Sequence, residues 1–142
     1  MLTREIIDFA NENRSCFLAT CEGDQPHVRG LLLWRADETG FYFHTGSTKS
    51  LPKQLAANPR VEIAFWAPSA TGGRMMRVQG RARLLDAAAH APRLLAERPW
   101  LGAVQAGLPG SELVVFVVDE GEVHEWSMAV NGREAAQPRV RF

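Results

Sequence analysis

The chain has 142 residues, 46% of them hydrophobic, which is enough for one domain with a real core. Its 16 basic residues balance 16 acidic ones for a formal net charge of +0, which excludes a nucleic-acid binder working through bulk positive charge but leaves room for a local anion pocket. The opening MLTREIIDFANENR is charged and amphipathic, unlike a signal peptide or a membrane span, so a soluble cytoplasmic protein with no membrane or nucleic-acid partner is expected.

Thr3 is placed to cap a short helix whose apolar stripe is Ile6, Ile7 and Ala10. Cys16 to Cys21 reads as a strand. The two cysteines lie an odd number of positions apart and point to opposite faces, so neither a disulfide nor a shared metal is expected. After the turn Glu22 to Pro26, His27 to Arg35 reads as the returning strand of a hairpin. Arg29, Leu31 and Leu33 share one face and Val28, Gly30, Leu32 and Trp34 the other. Both faces are largely apolar, which predicts a strand buried in a sheet or barrel wall, where Arg29 needs a partner.

Ala36 to Gly40 turns the chain into its most informative stretch, GFYFHTGSTKSLPKQLAANPR. Phe41 to Thr45 is a strand, Gly46 to Lys49 a polar turn, and Ser50 to Asn58 a helix closed by Asn58-Pro59. A hydroxyl-rich turn leading into a helix start suits a phosphate. The first helical N–H groups have no internal partner, Ser47 and Thr48 add hydroxyls, Lys49 and Lys53 add charge, and Pro52 is tolerated in a first turn. The same residues would serve equally as an ordinary helix cap with solvated lysines. No Gly-Lys-Ser/Thr follows at P-loop spacing, and Ser50-Leu51-Pro52-Lys53 lacks the companion motifs of the acyl-enzymes it matches.

Val61 to Trp66 is a further strand, and Ala67 to Gly73 a small-residue loop able to move. From Met75 to Leu85 the pattern alternates. Met76, Val78, Gly80, Ala82 and Leu84 face inward, and Arg77, Gln79, Arg81 and Arg83 face outward or toward a groove. Asp86 starts a helical segment using Leu94 and Leu95, and Pro99 to Leu108 is a second short helix or a loop. Leu113 to Val118 is apolar on both faces, as a central strand would be. Glu120-Gly121 reads as a turn into a last strand, Glu122 to Met128, with an irregular tail from Asn131. The whole predicts a single domain over residues 1–142: mainly β, six to seven antiparallel strands forming a small Greek-key barrel with peripheral helices. No Ser-His-Asp arrangement or zinc-ligand spacing is present, so no metal is expected and no catalytic residue is named. Of the histidines only His44, beside the phosphate turn, is kept as a site candidate.

In order, LATCEGDQPHVRG, FYFHTGSTKSLPKQLAANPRVEIAFW and MMRVQGRARLLD resemble the pyridoxamine 5'-phosphate oxidase-like, FMN-binding split-barrel superfamily, and in particular its small single-domain, nitroimidazole-reductase-like members. The likeness covers most of the chain, and the block from Thr45 to Val61 is its most specific part. The resemblance implies a split β-barrel, FMN as cofactor and a homodimer with flavin sites at the interface. It places Arg29 at the start of a flavin-contacting strand, with Gly30, Leu31 and Leu32 presenting backbone to the isoalloxazine edge. Thr45, Ser47, Thr48 and Lys49 match the block that holds the phosphate and ribityl chain. Thr48 stands where the true oxidases have arginine, which Lys53 would offset, and Met75 stands where they have glutamine. Trp126 matches an aromatic that the partner subunit lays over the flavin, although it also reads as an ordinary core or interface tryptophan. The signature that reads the pyridoxamine substrate is absent from VNGREAAQPRVRF, so a true pyridoxamine phosphate oxidase is not expected.

The resemblance implies an FMN-dependent oxidoreductase that reduces a small electron-poor substrate with a nicotinamide donor. The alternatives are a non-catalytic, stress-associated flavin-binding protein and a relative that binds deazaflavin or haem.

Overall fold

The computed structural model describes residues 1–142 and follows the alternation of the sequence into one antiparallel sheet. Helix α1 (Arg4–Glu12) is capped by Thr3, whose hydroxyl accepts from the Ile6 N–H, and it buries Ile6, Ile7, Phe9 and Ala10. Then follow β1 (Ser15–Glu22), β2 (Gln25–Leu32), β3 (Arg35–Asp37), β4 (Gly40–Gly46), α2 (Ser50–Ala57), β5 (Arg60–Ala67) and β6 (Arg74–Leu85). Helices α3 (Ala87–Glu97) and α4 (Trp100–Ala106) precede β7 (Leu113–Ser127), and β8 (Val140–Arg141) closes the chain. The longest helix, α3, has 11 residues, and no helix is long and apolar enough to cross a membrane.

The strand order is β2-β1-β5-β6-β7-β4-β3, with β8 added beside β7. β2 and β3 stand at opposite ends of that order, yet only Leu33 and Trp34 separate them in the chain. Two residues span at most about 7 Å, so the sheet must curl until its ends meet. The result is a barrel closed by the chain itself and not by a ladder of hydrogen bonds. Here the structure departs from the sequence reading, in which His27 to Arg35 is one strand. The continuous apolar run hides a corner. Leu33 turns into the barrel core while Trp34 turns outward to pack with Leu94, Leu101 and Val115 under α3 and α4.

Inside the barrel, Cys16 and Leu18 meet Val61, Ile63, Phe65, Met76, Val78, Phe116 and Val118, with Phe43 stacked on Phe116 at 5.2 Å between centroids. Burial drives the Cys16 thiol up to about 12, and Cys21 faces the other way, so both cysteines stay free. β4 and β5 are not neighbours, since β6 and β7 lie between them. Helix α2 therefore packs on β1, β4 and β6, burying Leu51, Gln54 and Leu55 at i, i+3, i+4 spacing.

β7 also departs from expectation. Glu120-Gly121 is not a turn but part of one 15-residue strand. Arg81 pairs with Glu120 and Ala82 with Val118, so Asp119 bulges out and the strand bends. Gly80 and Gly121 face each other at the bend. A Cβ on Gly121 would lie 2.0 Å from the Gln79 carbonyl oxygen, so only glycine fits. Leu84 keeps its phase but is 46% exposed, because the barrel core ends before it. The tail is more ordered than its composition suggests: β8 pairs with Glu122 and Val123, and Phe142 packs edge-on against Phe41. The outer face of β2 is not buried in the single chain; Val28 is 69% exposed and Phe17, beside it on β1, 56%.

Candidate functional site

Three of the predicted residues meet where β4 runs into α2. Ser47 is locked to the loop before β7: its N–H donates to the Glu112 carbonyl and its hydroxyl accepts from the Glu112 N–H, both at 2.8 Å. Gly46 lets the Ser111 side chain pack close, since a Cβ there would lie 2.7 Å from its hydroxyl and make it rotate away. Thr48 and Lys49 follow, exposed, and the N-cap residue of α2 is Lys49 with no side-chain cap. No hydroxyl is spent on capping the helix, while Lys49 and Lys53 stand exposed to solvent. The Ser50 and Leu51 N–H groups of the first turn remain available, and Pro52 has none to offer.

Charge around this helix end is uncompensated. Nine arginines lie within 4.0 Å of a carboxylate, but neither Lys49, Lys53 nor Arg29 does. Arg29 is half-buried and donates to three neutral acceptors: the Leu18 carbonyl at 3.2 Å, the Thr20 hydroxyl at 2.9 Å and the Gln54 side-chain oxygen of α2. Burial lowers its pKa, yet no carboxylate answers its charge. Thr45, one residue before Gly46, has a buried hydroxyl with no hydrogen-bond partner. Such orphans are rare in folded proteins and call for an explanation. Gly30, Leu31 and Leu32 lie on β2, which ends the sheet, so alternate backbone groups face outward without a strand partner.

His44 points the other way, toward α3 and α4. Its Nε2 lies 2.7 Å from the Arg98 guanidinium, which also donates to the Leu33 carbonyl, and its ring packs near Trp100. Burial, then the charges of Arg98 and Lys49, push its pKa down to about 4. His44 is thus neutral, accepts from Arg98 and anchors the helical excursion. The proximity of Lys49 still puts it at the edge of the charged cluster.

Met75 and Trp126 stand apart from Thr45, Ser47, Thr48 and Lys49, at the level of the sheet that runs from Met76 through Phe65 and Cys16 to Leu31. They pair across β6 and β7 at the end where β7 stops, whereas Thr45 pairs with Val114 where β7 begins. At about 3.3 Å per residue, roughly 40 Å of strand separates the two levels. Within one chain Thr45 and Trp126 thus stand at opposite ends of β7. Sequence reasoning also missed Thr20 and Gln54, which hold Arg29, and Arg98, which holds His44. Gln54 sits inside the Lys-Gln-Leu run already singled out, but its contact with β1 is long-range and leaves no local trace.

A family model described as pyridoxamine 5'-phosphate oxidase matches residues 2–126. The chain is 41% identical over 70 residues to the pyridoxine/pyridoxamine 5'-phosphate oxidase of Pseudomonas paraeruginosa, covering 49% of this chain and 32% of that protein. The chain thus spans about a third of the length of that relative. Its fold is similar to that of a NimC/NimA family protein from Clostridium acetobutylicum, with a TM-score of 0.76 at 24% identity over 98% of this chain and 92% of the other. It is also similar to an FAD-binding protein from Mesorhizobium loti, at TM-score 0.63 and 18% identity over 89% and 96% of the two chains. The haem storage protein HutZ from Vibrio cholerae shares the fold at TM-score 0.64 and 16% identity over 83% and 89%. With the sheet closed on itself, α2 across its end and a family match over most of its length, the chain belongs to the pyridoxamine 5'-phosphate oxidase-like split-barrel family.

Proposed function

We infer that the chain is an FMN-binding oxidoreductase that passes electrons from a nicotinamide donor to a small electron-poor substrate. The observation that carries this reading is the cluster of uncompensated cations at the uncapped start of α2, with the orphan Thr45 hydroxyl beside it. A phosphate would take hydrogen bonds from the Ser50 and Leu51 N–H groups, from Thr45 and Thr48, and charge from Lys49 and Lys53. Ser47 would hold the turn in place through Glu112. Arg29 and the free edge of β2 would meet the ring, where a fixed positive charge favours the electron-rich reduced state. When bound, the flavin supplies the two-electron redox chemistry, and the protein supplies position and charge. The FAD-binding fold neighbour agrees with a flavin, and a competition titration of FMN against FAD distinguishes the two.

The active unit is a homodimer. Met75 and Trp126 lie at the opposite end of β7 from Thr45, and a partner's outer wall would bring a second copy of them to its ligand. The exposed Phe17, Val28 and Leu32 offer the apolar area such a pairing would cover. Sedimentation of the apo and FMN-loaded protein over a dilution series tests this, because a ligand held by both chains favours association. A stable monomer holding stoichiometric FMN refutes the shared site.

The function itself is tested by FMN reconstitution followed by NADH and NADPH oxidation with nitroaromatic or quinone acceptors. Failure to hold FMN defeats the reading, and FMN binding without turnover favours the non-catalytic flavin protein. The haem-storing fold neighbour gives a second reading. It is disfavoured here by the engagement of His44 Nε2 with Arg98, and a Soret band on haem addition would revive it.

A further inference from the structure

Arg29 is held entirely by neutral oxygens, although a carboxylate stands only one amide away. Its guanidinium donates to the Leu18 carbonyl, the Thr20 hydroxyl and the Gln54 side-chain oxygen. Thr20 in turn donates to that same Gln54 oxygen at 2.8 Å, and both side chains are buried, at 3% and 6% exposure. With two donors on its oxygen, the Gln54 amide turns its nitrogen the other way, where it lies 3.5 Å from a Glu22 carboxylate oxygen. That Glu22 oxygen also meets His27, at 3.3 Å. A single amide therefore spans the gap between a cation on β2 and an anion at the end of β1.

An arginine and a glutamate in reach of each other pair, and pairing cancels much of the positive charge. Glutamine and glutamate have nearly the same shape, so a carboxylate would fit at position 54. What the amide supplies there is an acceptor without charge. Three neutral acceptors satisfy the hydrogen bonds of the guanidinium and leave its charge unpaired. Gln54 also lies one turn beyond Ser50 on the same face of α2. The helix whose first N–H groups are free thus fixes the position of Arg29 as well.

We propose that Gln54 is a positioning residue that keeps the charge of Arg29 unpaired for a bound flavin, orienting the guanidinium through its oxygen and holding Glu22 off through its nitrogen. This role rests on the flavin function inferred above. It adds how the chain stops its own carboxylate from quenching the charge that favours the reduced ring.

The test exchanges the two side chains. Glu22→Gln combined with Gln54→Glu keeps composition, net charge and side-chain size, and moves only the carboxylate onto Arg29. Without flavin, the new pair should lower the unfolding equilibrium constant about fivefold, read by urea unfolding. With flavin at full occupancy, the ratio of reduced to oxidised affinity should fall about tenfold, which is about 30 mV downward for a two-electron couple, read by potentiometric titration. FMN and riboflavin should shift alike, since the change lies at the ring and not at the phosphate. If Gln54 served only to join α2 to β1 through Thr20, the exchanged chain would keep the parent's midpoint, and that result overturns the proposal. Should the exchanged chain fail to fold, Gln54→Met decides. It frees Arg29 to reach Glu22, so the midpoint should fall and return when Glu22→Gln is added; an unshifted midpoint again overturns the proposal. A chain that holds no flavin at all defeats the function inferred above, and the change in apo stability then decides alone whether Gln54 keeps the charge unpaired.

Discussion

Thr45→Val separates the needs of the fold from those of the ligand. The side chain is 5% exposed, and its hydroxyl has no partner in the ligand-free chain. An unsatisfied buried polar group costs about 1–3 kcal/mol, and Val has nearly the same shape without that group. Thr45→Val should therefore stabilise the apo protein by about 1–2 kcal/mol, against the usual direction of core substitutions. The same change removes a hydrogen bond to a charged phosphate, worth about 1.5–3 kcal/mol, so FMN affinity should fall about tenfold to a hundredfold. Urea unfolding of the apo protein reads the first effect, and fluorescence titrations with FMN and riboflavin read the second. Riboflavin, lacking the phosphate, should bind both proteins alike. A less stable variant with unchanged FMN affinity would show that the hydroxyl serves the fold, and the phosphate assignment would fall with it.

Lys49→Ala should weaken FMN about tenfold while leaving riboflavin unchanged; equal losses for both ligands would remove Lys49 from the phosphate subsite. Arg29→Leu should lower the midpoint potential of bound flavin, because the reduced ring loses a positive neighbour, and potentiometric titration at full occupancy checks it. An unshifted midpoint would confine Arg29 to holding Thr20 and Gln54 in the barrel. His44 sets a pH dependence. Its pKa is about 4 in the fold against an ordinary 6.5, so the unfolded chain binds the extra proton and stability falls as pH drops from about 6.5 toward 4. Allowing for solvent screening of a partly exposed ring, this amounts to about 1–2 kcal/mol. Urea midpoints at pH 7 and 5 should differ less in His44→Gln than in the parent, and an equal difference would remove His44 as the cause.

What was legible beforehand follows the range of the interactions. Val61 to Trp66 and Met76 to Ala82 alternate over whole strands, and Thr3 and Asp86 cap their helices from one side chain each, so these elements stand where the pattern puts them. The corner at Leu33 and Trp34 was hidden because both residues are buried, each in a different core, and an apolar run carries no mark of where the core changes. Gly121 looks like a turn residue, but its task is to let the Gln79 carbonyl approach from a strand distant in sequence. The same holds at the site. Ser47 to Lys49 is a local motif and could be read, whereas Arg29 depends on Gln54, and His44 on Arg98 from 54 residues away. The distance between Trp126 and Thr45 depends on the full length of β7, which the misplaced turn had cut in two.

The two-residue corner also bears on how the molecule comes apart. Leu33 is committed to the barrel and Trp34 to the packing beneath α3 and α4, and Arg98 clamps the Leu33 carbonyl from the helical side. Neither hydrophobic cluster can lose its side chain from this corner without pulling on the backbone of the other. Melting α3 and α4 alone would uncover Trp34 and strand the Arg98 guanidinium, so a partly opened state gains little entropy for the burial it gives up. The barrel and its helical cover should behave as one cooperative unit, with amides in α3 and β5 exchanging with solvent through the same global opening.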